Sequence, residues 1–256
     1  MRMLWVNDTH CGSVYGLTPE GYRDADYGWC SKPLREFYLD ELKRIGPVDI
    51  LVLVGDIVDG MGNKDASELI STDTSVSRDI AVEMLGHIKA DETWLVRGTP
   101  FHTFGTEDLE ELVANDMGIP KDHRKDELRL EINGHRIMWR HAGRMSAAPQ
   151  TPPAQLFREW IRDVVQGAAE DYQWAHCVVR AHTHYYFDVQ TSVGRAISLP
   201  CMEWPFGKYG RRLFTQWYHM GLTFGEVSKA GVLSVPRPRF IKPYINGRKN
   251  YICRKD

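Results

Sequence analysis

The sequence contains no apolar run near the ~20 residues needed to cross a bilayer. It also has no internal repeat and no low-complexity linker, which argues against a membrane-spanning, fibrous or disordered chain. Cysteine is scarce: Cys11, Cys30, Cys177, Cys201 and Cys253 are odd in number, irregularly spaced and free of any Cys-x-x-Cys pair. Neither a disulfide framework nor a zinc knuckle follows, and free thiols are expected. The opening Met-Arg-Met-Leu-Trp-Val turns polar at Asn7 and Asp8, too short an apolar stretch for a signal peptide. A cytoplasmic protein with no membrane partner is therefore expected. Net charge is nearly absent as well, at −2, but this hides an asymmetry. Residues 236–256 carry seven basic side chains against Asp256, a net +6 that leaves −8 for the rest of the chain. With Phe240, Tyr244 and Tyr251 interleaved, such a tail can follow a nucleic-acid backbone and stack on bases, or be a solvated chain end and nothing more.

What is present is the alternation of an α/β layered domain. Leu4 to Val6 reads as a first strand. Leu34, Phe37, Tyr38, Leu42 and Ile45 recur at helical spacing, Gly46-Pro47 stops that helix, and Ile50 to Val54 suits a buried parallel strand. A helix over roughly 76–89, a strand at 94–96 and a helix at 107–117 follow. Around Asn133-Gly134, two alternating runs (128–132 and 136–139) predict a tight hairpin. Leu156, Trp160, Ile161, Val164 and Val165 mark a further helix, and short strands are expected at 177–179, 187–191 and 195–199. The segment from Gly12 to Ser31 reads as a long aromatic loop of the kind that often serves function. The chain is expected to form one domain over residues 1–235 with a mixed-sheet core, followed by a loosely held basic tail over 236–256.

Aspartate and histidine gather just beyond the C-terminal ends of these strands, where open α/β sheets bind ligands. The first strand ends in Asp8-Thr9-His10, the second in Gly55-Asp56-Ile57-Val58-Asp59, and the third in Gly98-Thr99-Pro100-Phe101-His102. Later strands end in His141-Ala142-Gly143 and His182-Thr183-His184. Singly, an Asp-x-His or Gly-Asp step is usually a polar turn, and a lone His141 a satisfied, partly buried histidine. His-x-His is more specific, because alternate residues of an extended segment can present both imidazoles to one site. Together they supply carboxylates and imidazoles without thiolates, a set suited to Mn²⁺, Fe²⁺ or Zn²⁺. They are also too many for one tetrahedral ion. Two ions ~3.5–4 Å apart can hold a bridging hydroxide and stabilise both the entering and the leaving oxygen of a phosphoryl displacement.

In their order these motifs resemble those of the calcineurin-like metallophosphoesterases: Asp-x-His, Gly-Asp-x-x-Asp, Gly-Asn-His-Asp/Glu, a lone His, then Gly-His-x-His, matched here over residues 8–184. The resemblance implies an α/β fold of two mixed β-sheets packed as a sandwich flanked by helices. It implies Asp8, His10 and His184 as ligands of one metal, Asp56 as the bridging carboxylate, and His141 and His182 as ligands of the second. Asp59 is expected to support the catalytic histidine or the loop carrying it. Two departures stand out. Ala181 replaces the glycine of Gly-His-x-His, a small-for-small change. Thr99 stands where the family has its metal-binding Asn, and the histidine is displaced by two residues to His102. Thr99 can offer a hydroxyl oxygen as a poorer ligand, and His102 can act as general acid or become a ligand itself.

The expected function is a metal-dependent phosphoester hydrolase with two divalent ions, Mn²⁺ first and Fe²⁺ or Zn²⁺ next, whose partner is a phosphoester substrate. A nuclease using the basic tail is the alternative. An inactive scaffold of the same fold, or a single structural metal in an unrelated binding module, would leave the surplus of ligand-type residues without a reason. Arg144 as a phosphate clamp, and the aromatic and basic stretch Glu203 to Arg212 as a substrate rim, are further candidates.

Overall fold

The computed structural model describes residues 1–22, 24–61, 66–100, 108–141, 152–170, 172–207, 218–245 and 251–254. In chain order its elements are β1 (Arg2–Val6), α1 (Asp24–Ile45), β2 (Val48–Val54), α2 (Thr74–Leu85), β3 (Ala90–Val96), α3 (Leu109–Asp116), β4 (Arg124–Lys125), β5 (Glu127–Ile132) and β6 (His135–Arg140). Then come α4 (Pro152–Glu170), β7 (Cys177–Arg180), β8 (Phe187–Gln190), β9 (Arg195–Ser198), β10 (Thr223–Val227), β11 (Leu233–Ser234), β12 (Lys242–Ile245) and β13 (Tyr251–Arg254).

One sheet has the order β11-β10-β1-β2-β3-β4, the other β5-β6-β7-β9-β8, and β12 pairs with β13. The strands from β1 to β4 are parallel neighbours, while β10 joins β1 antiparallel. In the second sheet β6, β7 and β9 are parallel, and β5 and β8 run antiparallel along the edges. Both sheets are mixed.

Alternation along the central strands explains why the two sheets pack face to face. Leu4, Val6, Leu51 and Leu53 point toward a helical layer, where they meet Leu34, Phe37 and Tyr38 of α1 and Ile80 and Met84 of α2. The intervening Met3, Trp5, Ile50, Val52 and Val54 meet Leu128, Ile137, Trp139, Cys177, Val179 and Ile197 of the second sheet. A strand covered on both faces needs an unbroken apolar run, which is what Ile50 to Val54 supplies. On the far side, Met138, Val178 and Ala196 pack against Leu156 and Trp160 of α4. The result is a two-sheet sandwich with helices on both outer faces. At its centre Trp5 and Trp139 meet edge to face, with ring centroids 5.9 Å apart.

The hairpin between β5 and β6 turns on Asn133 (φ 50°) and Gly134 (φ 78°), both left-handed as a two-residue turn of this twist requires. At α1 the structure differs from the expected loop over 12–31, since the helix begins at Asp24 and runs through Pro33. Proline removes one intrahelical donor and its ring crowds the carbonyl one turn before it. The preceding turn is also held from outside, by Trp204 Nε1 donating to the Cys30 carbonyl at 2.7 Å. In the basic segment after residue 235, Arg239 meets Glu41 of α1 at 2.7 Å and Phe240 stacks on His219. Ile241 is buried in the first core, with its N–H on the Met220 carbonyl at 3.0 Å. The apolar residues interleaved in this segment anchor its beginning to the domain. No helix among the described residues is long and apolar enough to cross a membrane.

Because Trp139 is fully buried between the sheets, Trp139→Ala should lower the unfolding free energy by ~3–5 kcal/mol in a urea titration. A loss under ~1 kcal/mol would show that the sandwich does not depend on this contact.

Candidate metal centre

The parallel strands of each sheet end at the same rim of the sandwich, and the chain turns sharply there. Asp8 and His10 follow β1, Asp56 and Asp59 follow β2, Thr99 follows β3, His141 follows β6, and His182 and His184 follow β7. Backbone hydrogen bonds stitch these ends together: Asp8 N–H to the Gly55 carbonyl (2.9 Å), His10 N–H to Asp56 (3.1 Å) and Ala181 N–H to His141 (3.1 Å). Across the two sheets, the His182 N–H donates to Asp8 Oδ2 at 3.0 Å.

Six non-glycine residues among those described have positive φ, and five of them are Asp8 (45°), His10 (45°), Asp56 (50°), His182 (70°) and His184 (59°). Left-handed backbone costs an L-residue ~1–2 kcal/mol, so concentrating it at one rim is strain the rest of the fold must hold in place. Its effect is to turn short polar side chains inward at the strand ends. Two glycines make the close approach possible. A Cβ on Gly98 would lie 2.2 Å from the Asp56 nitrogen, and one on Gly55 would lie 2.6 Å from His141 Nδ1.

The side chains converge in two clusters, one of Asp8, Asp56, His141 and His182, the other of Asp8, His10 and His184. Asp8 is common to both. Its Oδ1 lies 3.2 Å from His184 Nε2 and 3.9 Å from the Nε2 atoms of His10 and His141, and it makes no hydrogen bond. His141 Nε2 stands 2.8 Å from Asp56 Oδ2, also without an aligned hydrogen bond. His141 Nδ1 donates to the Val54 carbonyl at 2.6 Å, which in the neutral ring fixes the tautomer and makes Nε2 the lone-pair nitrogen. His182 Nδ1 is 3.5 Å from the same Asp56 oxygen and is the most exposed member of the group.

Electrostatics agree with this geometry. Burial works to raise the Asp8 carboxyl, yet His184 and His141 outweigh it and hold the group well below the usual carboxylate range. Burial likewise opposes a charge on His141, but Asp56 and Asp8 lift it to about 9. The cluster selects positive charge, whether protons or metal ions. Carboxylate and imidazole donors without thiolate, together with the orphaned buried atoms Asp8 Oδ1 and His141 Nε2, fit divalent first-row ions.

Other expected residues fall as follows. Asp59 Oδ1 lies 3.1 Å from His10 Nδ1, so it orients a candidate ligand. The Thr99 hydroxyl and N–H both engage the Asp56 carboxylate, at 3.0 and 2.6 Å on Oδ1. The hydroxyl also reaches Oδ2, at 3.2 Å, so Thr99 engages both oxygens of Asp56, while Asp8, rather than the expected bridging Asp56, is the residue common to the two clusters. His102, Arg144 and Lys208 to Arg212 lie outside the described residues.

Two carboxylates are not among the residues expected at the metal centre, Glu203 entering only as the start of a candidate substrate rim. Glu110 of α3 is buried and accepts from Ile57 N–H (3.0 Å) and Gly98 N–H (2.7 Å), clamping the β2 and β3 loops together. Burial and then the Asp56 charge push its carboxyl up to about 7, against the pull of those two donors. Glu203 approaches His10 and Asp59 in a third cluster. Neither belongs to an Asp or His motif at a strand end, and each reaches the rim through contacts between separate segments.

No family model matches the sequence, and no curated protein matches it. Among solved structures, Vps29 of Chaetomium thermophilum is similar at 12% identity over 100% of this chain and 97% of that one, with a TM-score of 0.48. Vps29 of Entamoeba histolytica complexed with zinc is similar at 11% over 93% and 98%, TM-score 0.48. An archaeal phosphodiesterase is similar at 11% over 92% and 98%, TM-score 0.44. Likenesses this distant carry no argument about chemistry, which has to come from the site itself.

If Asp8 is the shared ligand, Asp8→Asn should weaken both Mn²⁺ ions by at least ~10-fold in calorimetry. Asp56→Asn should weaken mainly the ion held with His141 and His182. Normal affinity for both ions in Asp8→Asn would remove Asp8 from the shared position.

Proposed function

We propose that this protein is a divalent-metal-dependent phosphoester hydrolase. The observation that carries the proposal is the pair of carboxylate and imidazole clusters joined through Asp8, with their ligand-type atoms a few ångströms apart. Asp8, His10 and His184 would hold one ion, and Asp8, Asp56, His141 and His182 the other, with Mn²⁺ the leading candidate and Fe²⁺ or Zn²⁺ next. When bound, such a pair supplies Lewis acidity that activates water and neutralises charge on a phosphoryl group.

The chain's own residues do the rest. Asp59 on His10 Nδ1 and the Val54 carbonyl on His141 Nδ1 set both imidazoles in the tautomer that offers Nε2. Thr99 and Glu110 fix the Asp56 loop, so these groups need little reorganisation when substrate arrives. His102, three residues after Thr99 in the sequence, is assigned the role of general acid, protonating the leaving oxygen. The resemblance to calcineurin-like metallophosphoesterases supports the same chemistry.

Hydrolysis by the Mn²⁺-loaded protein of p-nitrophenyl phosphate, its bis ester, cyclic nucleotides and single- and double-stranded nucleic acids tests this directly. At least one class should turn over, and turnover should vanish with chelator. No hydrolysis of any of them by protein carrying two ions would return the chain to an inactive scaffold, and turnover of nucleic acid alone would make it a nuclease. Within that panel, His102→Ala should slow esters of poor leaving groups by ~10²–10⁴-fold and esters of acidic phenols far less. Equal slowing of both would remove the general-acid role.

A further inference from the structure

Glu110, the second residue of α3, is buried and joins that helix to the turn carrying Asp56. Its Oε1 accepts the Ile57 N–H at 3.0 Å, and its Oε2 accepts the Gly98 N–H at 2.7 Å. Ile57 directly follows Asp56, and Gly98 directly precedes Thr99. Thr99 N–H in turn donates to Asp56 Oδ1 at 2.6 Å. These contacts close a ring that runs from Asp56 to Thr99 and back through Gly98, Glu110 and Ile57. Beside it, Arg97 Nε donates to Glu111 Oε1 at 3.0 Å, so the exit of β3 and the start of α3 are pinned side by side. Glu110 belongs to none of the donor clusters found among the described residues, so it is not placed as a ligand.

We propose that Glu110 is the positioning residue of the ion assigned to Asp8, Asp56, His141 and His182, and that its two backbone contacts set the affinity of that ion and not of the other. The inference rests on the metal reading of the preceding subsection and deepens it by giving a residue outside the donor clusters a role at one site. Three observations carry it. First, Asp56 has a left-handed backbone, φ 50°, and its Oδ2 lies 2.8 Å from His141 Nε2 and 3.5 Å from His182 Nδ1. A residue strained in this way keeps its place only where the surroundings fix it. Second, the place calls for a carboxylate. Two N–H groups converge there, and a carboxylate has an acceptor oxygen for each, whereas an amide has one and an apolar side chain none. Burial and the nearby Asp56 charge both work against an anion at this position, so its presence has a cost that the two backbone contacts offset. Third, the donors of the other ion have holds of their own. Asp59 orients His10, Met202 N–H donates to the Asp8 carbonyl at 3.0 Å, and His219 N–H donates to the His184 carbonyl at 2.9 Å.

The test compares the full-length wild type with Glu110→Gln, which keeps the side-chain shape but leaves one acceptor for two donors. Mn²⁺ affinities are read by calorimetry, with His182→Ala marking which of the two binding steps belongs to the ion on that side. Amide hydrogen exchange of the metal-free protein reads the clamp itself, and metal-free thermal melts check folding. The expected result is a loss of at least ~10-fold in affinity for the ion that His182→Ala also weakens, with the other within about twofold. In the metal-free wild type the Ile57 and Gly98 amides should be protected, and at least one of them should exchange faster in Glu110→Gln. Glu110→Asp, which keeps the charge but draws the carboxylate back by one methylene, should weaken the same ion. Asp116→Asn, which removes the 3.0 Å contact with Arg78 at the far end of α3, should change neither. Unchanged affinities in Glu110→Gln overturn the proposal, as do equal weakening of both ions and unprotected Ile57 and Gly98 amides in the wild type. Normal affinities in Glu110→Asp would leave only a charge effect and overturn it as well. So would loss of the same ion in Asp116→Asn, which would reduce Glu110 to one of several supports of α3. A wild type that binds no ion overturns this proposal and the metal-dependent function together, whereas two ions with an indifferent Glu110→Gln overturn this proposal alone.

Discussion

The architecture of the rim depends on one buried carboxylate. Asp8 ends the central strand of the first sheet, and its two oxygens do different things. Oδ2 accepts the His182 N–H from the second sheet and so ties the sheets together. Oδ1 faces three imidazoles within 3.9 Å and takes no hydrogen bond. A buried carboxylate oxygen without a donor is costly. The cost is lowered by positive charge, as the depressed Asp8 and elevated His141 show. Asp56 and Asp59, equally buried, add to the demand for cations at the same place.

Holding such a group together needs rigidity from elsewhere. The strand ends enter left-handed backbone at five of the converging residues, a conformation that costs any L-residue energy even where Asp and His tolerate it better than most. The compensation comes from the sandwich. Alternating faces of β1 and β2 are buried against helices on one side and against the second sheet on the other. Near the rim, glycines at 55 and 98 let the β2 and β3 loops touch, and Glu110 accepts one N–H from each. The metal cluster and the apolar core are thus coupled, since the core fixes the strands whose ends carry the ligands.

Around the His184 side of the rim, aromatic rings form the second layer. Tyr218 sits edge-on to His184 at 4.6 Å, and Trp204, next to Glu203, stacks on Phe206. Through Cys30, Trp204 also braces the first turns of α1. The segment following β9 therefore connects the long N-terminal helix to the ligand cluster, which is why a residue as far along the chain as Glu203 arrives beside His10.

The sequence by itself determined the elements and the nature of the donors. Apolar alternation marked β5 and β6, short apolar runs marked β1 and β2, helical spacing marked the helices, Asn133-Gly134 marked the hairpin, and Asp and His at strand ends marked the rim, because all of these are written within a few residues of one another. The short strands β4, β10 and β11 carry too little periodicity to be seen that way, and α1 extends past a proline because a tryptophan far along the chain supports its first turns. Tertiary structure alone decided that Asp8 is common to both clusters, since the other members come from strand ends of both sheets. It also decided that Glu110 and Glu203 belong to the site. Their positions are set by packing and backbone hydrogen bonds between segments distant in sequence, and no local pattern of residues encodes a contact made across the width of a sandwich.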